Sequence, residues 1–233
     1  MTGGGRGIGA ATAELAAERG WDVCVGYHGD ADAAERVVAA CERHGTRAMA
    51  WRADIADEAD VEELFEQTGK RLGPVTGLVN NAGMVAALSR FADLDADRIR
   101  RVFDVNAIGA FLCARAAVRR MTAGGAIVNV SSRAAVLGSP GEYVEYAAAK
   151  AAVDTLTVGL AREVAADGIR VNAVRPGLVA TEIHAPGRLE RLTPNIPMRR
   201  PGQPREIAET IVWLLSPAAS YVTGALLDVS GGR

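Results

Sequence analysis

Tyr146 and Lys150 stand four residues apart in the run Tyr146-Ala147-Ala148-Ala149-Lys150. On a helix that interval puts both side chains on one face. A free phenol titrates near pKa 10, too high for a base at neutral pH, and a nearby ammonium stabilises the phenolate and lowers that value. The pair is therefore suited to general acid–base chemistry with an electrostatically tuned tyrosine. The chain has four tyrosines, and of its 26 basic residues only Lys70 and Lys150 are lysine. Chance would supply only about 0.03 Tyr-x-x-x-Lys pairs in such a chain. Tyr143 has Ala147 four residues on, so packing or lining a pocket is the role that suits it.

A second chemical motif opens the chain: Thr2-Gly3-Gly4-Gly5-Arg6-Gly7-Ile8-Gly9, leading into an Ala- and Leu-rich segment that reads as a helix. Glycines let the backbone turn tightly and approach a ligand without a Cβ clash. The helix end beyond them offers free N–H groups and a positive dipole to a pyrophosphate. An ordinary glycine-rich tail is the other reading of this stretch.

These residues need elements to hold them. Helices are expected over 8–19, 32–44, 57–68, 95–121, 143–166 and 205–215, with strands over 23–27, 48–51, 78–80, 127–130, 169–174 and 226–229. Short apolar strands separated by longer helices predict a parallel sheet covered on both faces. That is a Rossmann-type doubly wound α/β fold, three layers α/β/α, with residues 1–233 as a single domain. The least regular stretch, about 182–204, is rich in proline and reads as a flexible flap over the carboxyl ends of the strands. One feature is out of place. Such a glycine turn should follow a strand of about five residues, yet only Met1 and Thr2 precede it. The first strand is shortened or missing, or another segment fills its place.

Taken in order, the motifs resemble the short-chain dehydrogenase/reductase family. The spacing T-G-x-x-x-G-x-G is the family's rather than the G-x-G-x-x-G of other dinucleotide folds. Asp54-Ile55 matches its acidic-apolar pair at adenine, and Asn80-Asn81-Ala82-Gly83 its N-N-A-G. Asn106 lies in its N-x-x-G, Ser131-Ser132 ends a strand, and Tyr146 and Lys150 form its Y-x-x-x-K. Arg175-Pro176-Gly177, with Val179 and Thr181 beyond, matches the turn beside the nicotinamide. The resemblance spans nearly the whole chain, with likeness to glucose dehydrogenases and oxoacyl-carrier-protein reductases. It implies an NAD(P)-dependent oxidoreductase passing a hydride between nicotinamide and a carbonyl or alcohol carbon. Tyr146 would then be the general acid/base, assisted by Lys150, Ser132 and Asn106. The cofactor would lie against Gly3, Gly5, Arg6, Gly7, Ile8, Gly9, Tyr27, His28, Asp54, Ile55, Asn81, Ala82, Gly83, Tyr146, Lys150, Pro176, Gly177, Val179 and Thr181.

Several assignments within the resemblance carry alternatives. The family's serine precedes its tyrosine by about thirteen residues, which lands on Arg133; Ser132, at fourteen, is chosen, with Ser131 left to cap the strand end and Ser139 as a third candidate. Asn106 would kink its helix and hold a water linked to Lys150, or be a plain polar core contact. Asp54 could also be a turn cap, and Arg6 a solvated arginine. His184 could face substrate from the flap or lie exposed. The second strand ends at Tyr27-His28 with no acid to bind a ribose 2′-hydroxyl, and Arg6 sits in the glycine turn, so NADP is expected over NAD, with Asp30 the counter-argument.

Composition bounds the rest. Nearly half the residues are apolar, and no apolar run approaches the length that spans a bilayer. A net charge of -2 gives no electrostatic case for nucleic acid or an anionic membrane. Cys24, Cys41 and Cys113 lack metal-ligand spacing and no secretory leader is evident, so no metal and a cytoplasmic setting are expected. The family resemblance implies a homotetramer or homodimer acting on a small molecule. The reading from another class is an NADP-binding regulatory or sensor protein without turnover.

Overall fold

The computed structural model describes Met1–Arg233. Six parallel strands form its centre: β1 (Val23–Tyr27), β2 (Ala48–Arg52), β3 (Gly77–Asn80), β4 (Gly125–Val130), β5 (Ile169–Pro176) and β6 (Leu226–Val229). Successive β4 residues point to opposite faces, as the period of a strand requires. Ile127 enters one core with Val61, Phe65, Cys113 and Val171, while Val128 and Val130 enter another with Ile211 and Leu214. Helices α3 (Glu58–Leu72), α5 (Gly109–Val118) and α7 (Val144–Glu163) cover the first face. Helices α1 (Gly7–Glu18), α2 (Ala31–Glu42) and α9 (Pro204–Leu215) cover the second. The three-layer α/β/α architecture is the one the alternating pattern predicts.

Local chemistry sets the helix limits. The Asp30 carboxylate accepts the Ala33 N–H at 2.9 Å and starts α2; Asp57 accepts the N–H groups of Ala59 and Asp60 and starts α3. Pro204 opens α9, with Glu206 reaching back to the Gln203 N–H at 2.7 Å. The helix expected over 95–121, with a kink at Asn106, is α4 (Ala96–Phe103), one π-turn (Asp104–Ile108) and α5. The expected 57–68 helix runs on to Leu72, and a four-residue helix, α6 (Ala134–Leu137), follows β4 where none was expected. Within the flap, α8 (Arg188–Leu192) and one 3-10 turn pack Leu192 and Ile196 against Leu178.

The sheet is in two parts, β2-β1 and β3-β4-β5-β6. Between β1 and β3, Met1 and Thr2 serve as a two-residue strand. The Gly26 N–H donates to the Met1 carbonyl at 2.8 Å, and the Thr2 N–H donates to the Val79 carbonyl at 3.1 Å. The Thr2 hydroxyl accepts the N–H groups of Asn81 and Ala82, each at 3.1 Å. Beneath these two residues the halves are separated by a cleft of about 410 Å³, whose wall includes Trp21, Phe65, Leu72, Leu78 and Leu215. Met1 and Thr2 are the residues that bridge β1 and β3, and no other segment lies between those strands.

Candidate active site

The glycine turn is built as its residue types require. Gly3 and Gly7 have φ of 60° and 55°, a region that L side chains avoid. Gly9 is needed for closeness instead: a Cβ there would lie 2.2 Å from the Gly3 carbonyl oxygen and 2.6 Å from Asn81 Nδ2. Helix α1 then begins at Gly7 with no side chain capping its first N–H groups. They face a cleft of about 580 Å³ whose wall includes Gly3, Gly5, Arg6, Gly7, Ile8, Tyr27, His28, Asp54, Ile55, Asn81, Ala82, Gly83 and Thr181. Gly9 lies beneath this wall rather than on it. An uncapped helix end above glycines that no Cβ could replace is a cradle for a pyrophosphate, so these residues fit a dinucleotide.

At the far end of this cleft the Asp30 carboxylate is engaged in capping α2, although the residue still lines the wall. Arg6 is exposed on the same wall. Asp54 caps a turn and lines the cleft where adenine is expected. Its Oδ1 accepts the Ala56 N–H at 3.0 Å, closing a turn, and its Oδ2 lies 3.4 Å from Arg101 and 3.6 Å from His28. Burial pushes this carboxyl up, but the Ala56 N–H, Arg101 and His28 outweigh it and leave its pKa below the usual carboxylate value. Arg101 shares the cleft wall and was not foreseen; its place on α4 relative to the cleft depends on the packing of two distant elements.

The second cavity, about 150 Å³, adjoins the first. Ile8, Asn81, Gly83, Thr181 and Ile183 line both. Here α7 presents Tyr146 and Lys150 from its first two turns, together with Ser131 and Ser132 from the end of β4. Lys150 Nζ donates to the Val130 carbonyl at 2.8 Å and lies 5.8 Å from the centre of the Tyr146 ring. Burial lowers the Lys150 pKa to about 8, against the pull of Asp154. Burial raises the Tyr146 phenol above its ordinary value, while the Ser132 hydroxyl and Arg188 act the other way.

The two serines separate cleanly. The Ser131 hydroxyl donates to the Lys150 backbone carbonyl at 3.2 Å and pins α7 to the sheet. The Ser132 hydroxyl accepts the Ala134 N–H at 3.1 Å and acts on the Tyr146 phenol instead of on the backbone of α7. The loop between α6 and α7, which the sequence reading expected to absorb a one-residue offset, holds Gly138 and Gly141 at φ of 73° and 72°. Ser139 also reaches the wall of this cavity.

Asn106 occupies the π-turn. Its Nδ2 donates to the Val102 carbonyl four residues back at 2.9 Å, taking a carbonyl that the widened turn leaves free, and to the Met84 carbonyl at 2.9 Å. Its Oδ1 accepts the Met84 N–H at 3.1 Å. A Cβ on Gly83 would lie 2.7 Å from Asn106 Oδ1 and 3.4 Å from Lys150 Nζ, so glycine is what lets these groups meet. Pro176, Gly177, Val179 and Thr181 follow β5 along the cavity wall, as the motif order predicts.

His184 and Tyr143, which the sequence offered as facing substrate and as lining a pocket, both reach this wall, whereas Arg188 and Arg233 were missed. His184 is half-buried, its Nε2 2.9 Å from the Val179 carbonyl and its Nδ1 3.0 Å from Arg188; burial, then Arg188, lowers its pKa. Arg188 and Arg233 line the same cavity, and Tyr143 is buried there beneath Arg188. No short motif marks an arginine on a flap or beyond the last strand.

A family model described as Enoyl-(Acyl carrier protein) reductase matches residues 3–233. The chain belongs to the short-chain dehydrogenase/reductase family. It is 52% identical over 242 residues to the Uncharacterized oxidoreductase YgfF of Escherichia coli, with 100% of this chain and 98% of that protein covered. It is 38% identical over 235 residues to the 3-oxoacyl-(acyl-carrier-protein) reductase of Synechocystis, covering 100% and 94%. Among solved structures, a short chain dehydrogenase from Burkholderia cenocepacia in complex with NADP superposes with a TM-score of 0.95. Its identity is 34%, over 100% of this chain and 95% of that one. These short-chain dehydrogenase/reductase relatives are oxidoreductases, and the shared fold is the Rossmann-like parallel sheet described above.

Proposed function

We propose that this chain is an NADP(H)-preferring reductase or dehydrogenase acting at a carbonyl or alcohol carbon. The observation that carries the reading is the meeting of Tyr146, Lys150 and Ser132 around one cavity that opens onto the glycine-turn cleft, with Asn106 set behind Gly83 of the shared wall. Bound there, the nicotinamide supplies or accepts the hydride. Every other task falls to the chain. The helix α1 end, with Gly3, Gly5 and Gly7, binds the pyrophosphate, and Arg6, with no acid at Tyr27-His28, suits a 2′-phosphate. Asp54 and Ile55 hold the adenine end; Asn81, Ala82, Gly83, Pro176, Gly177, Val179 and Thr181 hold the nicotinamide end.

In the direction of reduction, the Ser132 hydroxyl hydrogen-bonds the substrate oxygen, keeping its own proton, and steadies charge growing there. Tyr146 gives its proton to that oxygen, and the Lys150 ammonium favours the phenolate left behind. Asn106, fixed to Met84, holds the π-turn against Gly83 and keeps Lys150 in place. Oxidation runs the same transfers backwards. The whole of 1–233 acts as a single domain, the flap over about 182–204 covers the substrate, and the enzyme works in the cytoplasm as a homotetramer or homodimer.

The test is NADPH oxidation followed with a panel of ketones, diketones and acyl thioesters. Turnover lost in Tyr146→Phe supports the reading. Tight NADPH binding with no turnover anywhere in the panel overturns it and leaves a cofactor-sensing protein in its place.

A further inference from the structure

The cavity beside Tyr146 is strongly one-sided in charge. Its wall includes Arg133, Lys150, Arg188 and Arg233 and no aspartate or glutamate. Three of these cations have a carboxylate close at hand, set back from the cavity. Arg133 Nη1 lies 2.5 Å from Asp228. Arg188 Nη2 lies 2.7 Å from Glu142, which Arg191 also holds. Asp154 acts on Lys150. Arg233 has no aspartate or glutamate partner, and it lies within electrostatic reach of Arg188 and Arg133, with Glu142 the one opposing side-chain charge. Burial, then Arg188, lowers its pKa, as befits a cation drawn from water towards other cations.

Arg188 itself is held rigidly. Its guanidinium lies 5.2 Å from the centre of the Tyr143 ring, and that ring meets Tyr146 edge-on at 6.4 Å. The cationic end of the cavity is therefore about one aromatic ring away from the phenol. Preorganised guanidinium groups recognise carboxylates with charge-assisted, often bidentate hydrogen bonds.

We propose that the substrate is a small oxo or hydroxy acid, its carboxylate received by Arg233 and Arg188 while its carbonyl or hydroxyl meets Tyr146 and Ser132. The inference rests on the oxidoreductase reading of this same cavity. A volume of about 150 Å³ suits a compact molecule. The carboxylate is a spectator in the reaction: the carbonyl carbon gains the hydride, the oxygen gains the Tyr146 proton, and the acid group is unchanged. Arg233 is then a specificity-determining residue.

The experiment compares short oxo acids with their methyl esters as substrates for NADPH oxidation, in the wild type and in Arg233→Gln. The wild type should favour the acid over its ester by about tenfold or more in kcat/KM. In Arg233→Gln that ratio should fall towards one, and Arg233→Lys should recover part of it. A wild type that favours the ester, or an Arg233→Gln that lowers acid and ester equally, overturns the inference while leaving the oxidoreductase reading intact. Should no compound turn over, calorimetric titration of the NADPH-loaded protein with acid and ester decides the matter. Tighter binding of the acid, lost in Arg233→Gln, sustains the inference, and equal binding of acid and ester overturns it.

Discussion

Tyr146 and Lys150 differ in what each is asked to do, and single substitutions should separate the roles. On the proposed mechanism Tyr146→Phe removes the proton that reduction consumes, so kcat should fall by about 10²–10⁴ while NADPH affinity, read by fluorescence titration, barely changes. Lys150→Met should abolish most activity yet stabilise the cofactor-free protein. The Lys150 pKa is lowered from 10.5 to about 8 by burial. Below pH 8 the folded chain carries a buried ammonium at a constant cost. Between pH 8 and 10.5 the unfolded state binds more protons, so stability should climb as pH rises through that window. Denaturant unfolding at pH 7 and pH 9.5 should show the climb in wild type and lose it in Lys150→Met, which should be more stable at pH 7 by about 2 kcal/mol. The pair itself was legible in sequence, since lysine is scarce and helical spacing is simple geometry. The choice of Ser132 over Ser131 was legible by count, but its reason became visible only where the Ser131 hydroxyl turns to the Lys150 carbonyl. Arg188 and Arg233 were not legible at all, because each reaches the cavity by a route that depends on how distant segments pack.

At the scale of elements, periodicity foretold nearly every strand and helix; Asp57, read as the first residue of its helix, is in the structure its cap. Asp57→Ala should cost about 1 kcal/mol through loss of the α3 cap, measurable as a lower denaturation midpoint at unchanged slope. What periodicity could not show is the π-turn at Asp104–Ile108. One extra residue in a helical turn leaves the apolar pattern nearly intact, and asparagine alone is a weak sign of it. The glycine turn makes a sharper prediction. Gly9→Ala sets a Cβ 2.2 Å from a carbonyl oxygen, so Gly3 must shift and the cradle must open. NADPH affinity should drop at least tenfold, with a stability loss of about 1–3 kcal/mol, whereas alanine at Gly69 on α3, where an added Cβ meets nothing within 4 Å, should leave the affinity unchanged.

The molecule as a whole follows the layered plan that alternating strands and helices announce, and its assembly is a matter for light scattering. A tetramer or dimer at micromolar concentration is the expected mass, and a monomer would count against that expectation. The divided sheet was visible in sequence only as a turn arriving too early. Its consequence concerns where the cofactor grips. Tyr27, His28 and Asp54 belong to the β1–β2 part, while Asn81, Tyr146 and Thr181 belong to the β3–β6 part. On the proposed reading, a dinucleotide that reaches both would act as a clasp across the boundary between the two parts of the sheet. Intact NADPH should therefore raise the melting temperature well beyond the sum of its two halves, an adenosine 2′,5′-bisphosphate and a nicotinamide mononucleotide, each given at matched saturation. Equal stabilisation by the whole and by its parts would mean that the seam is already rigid without a ligand to fasten it.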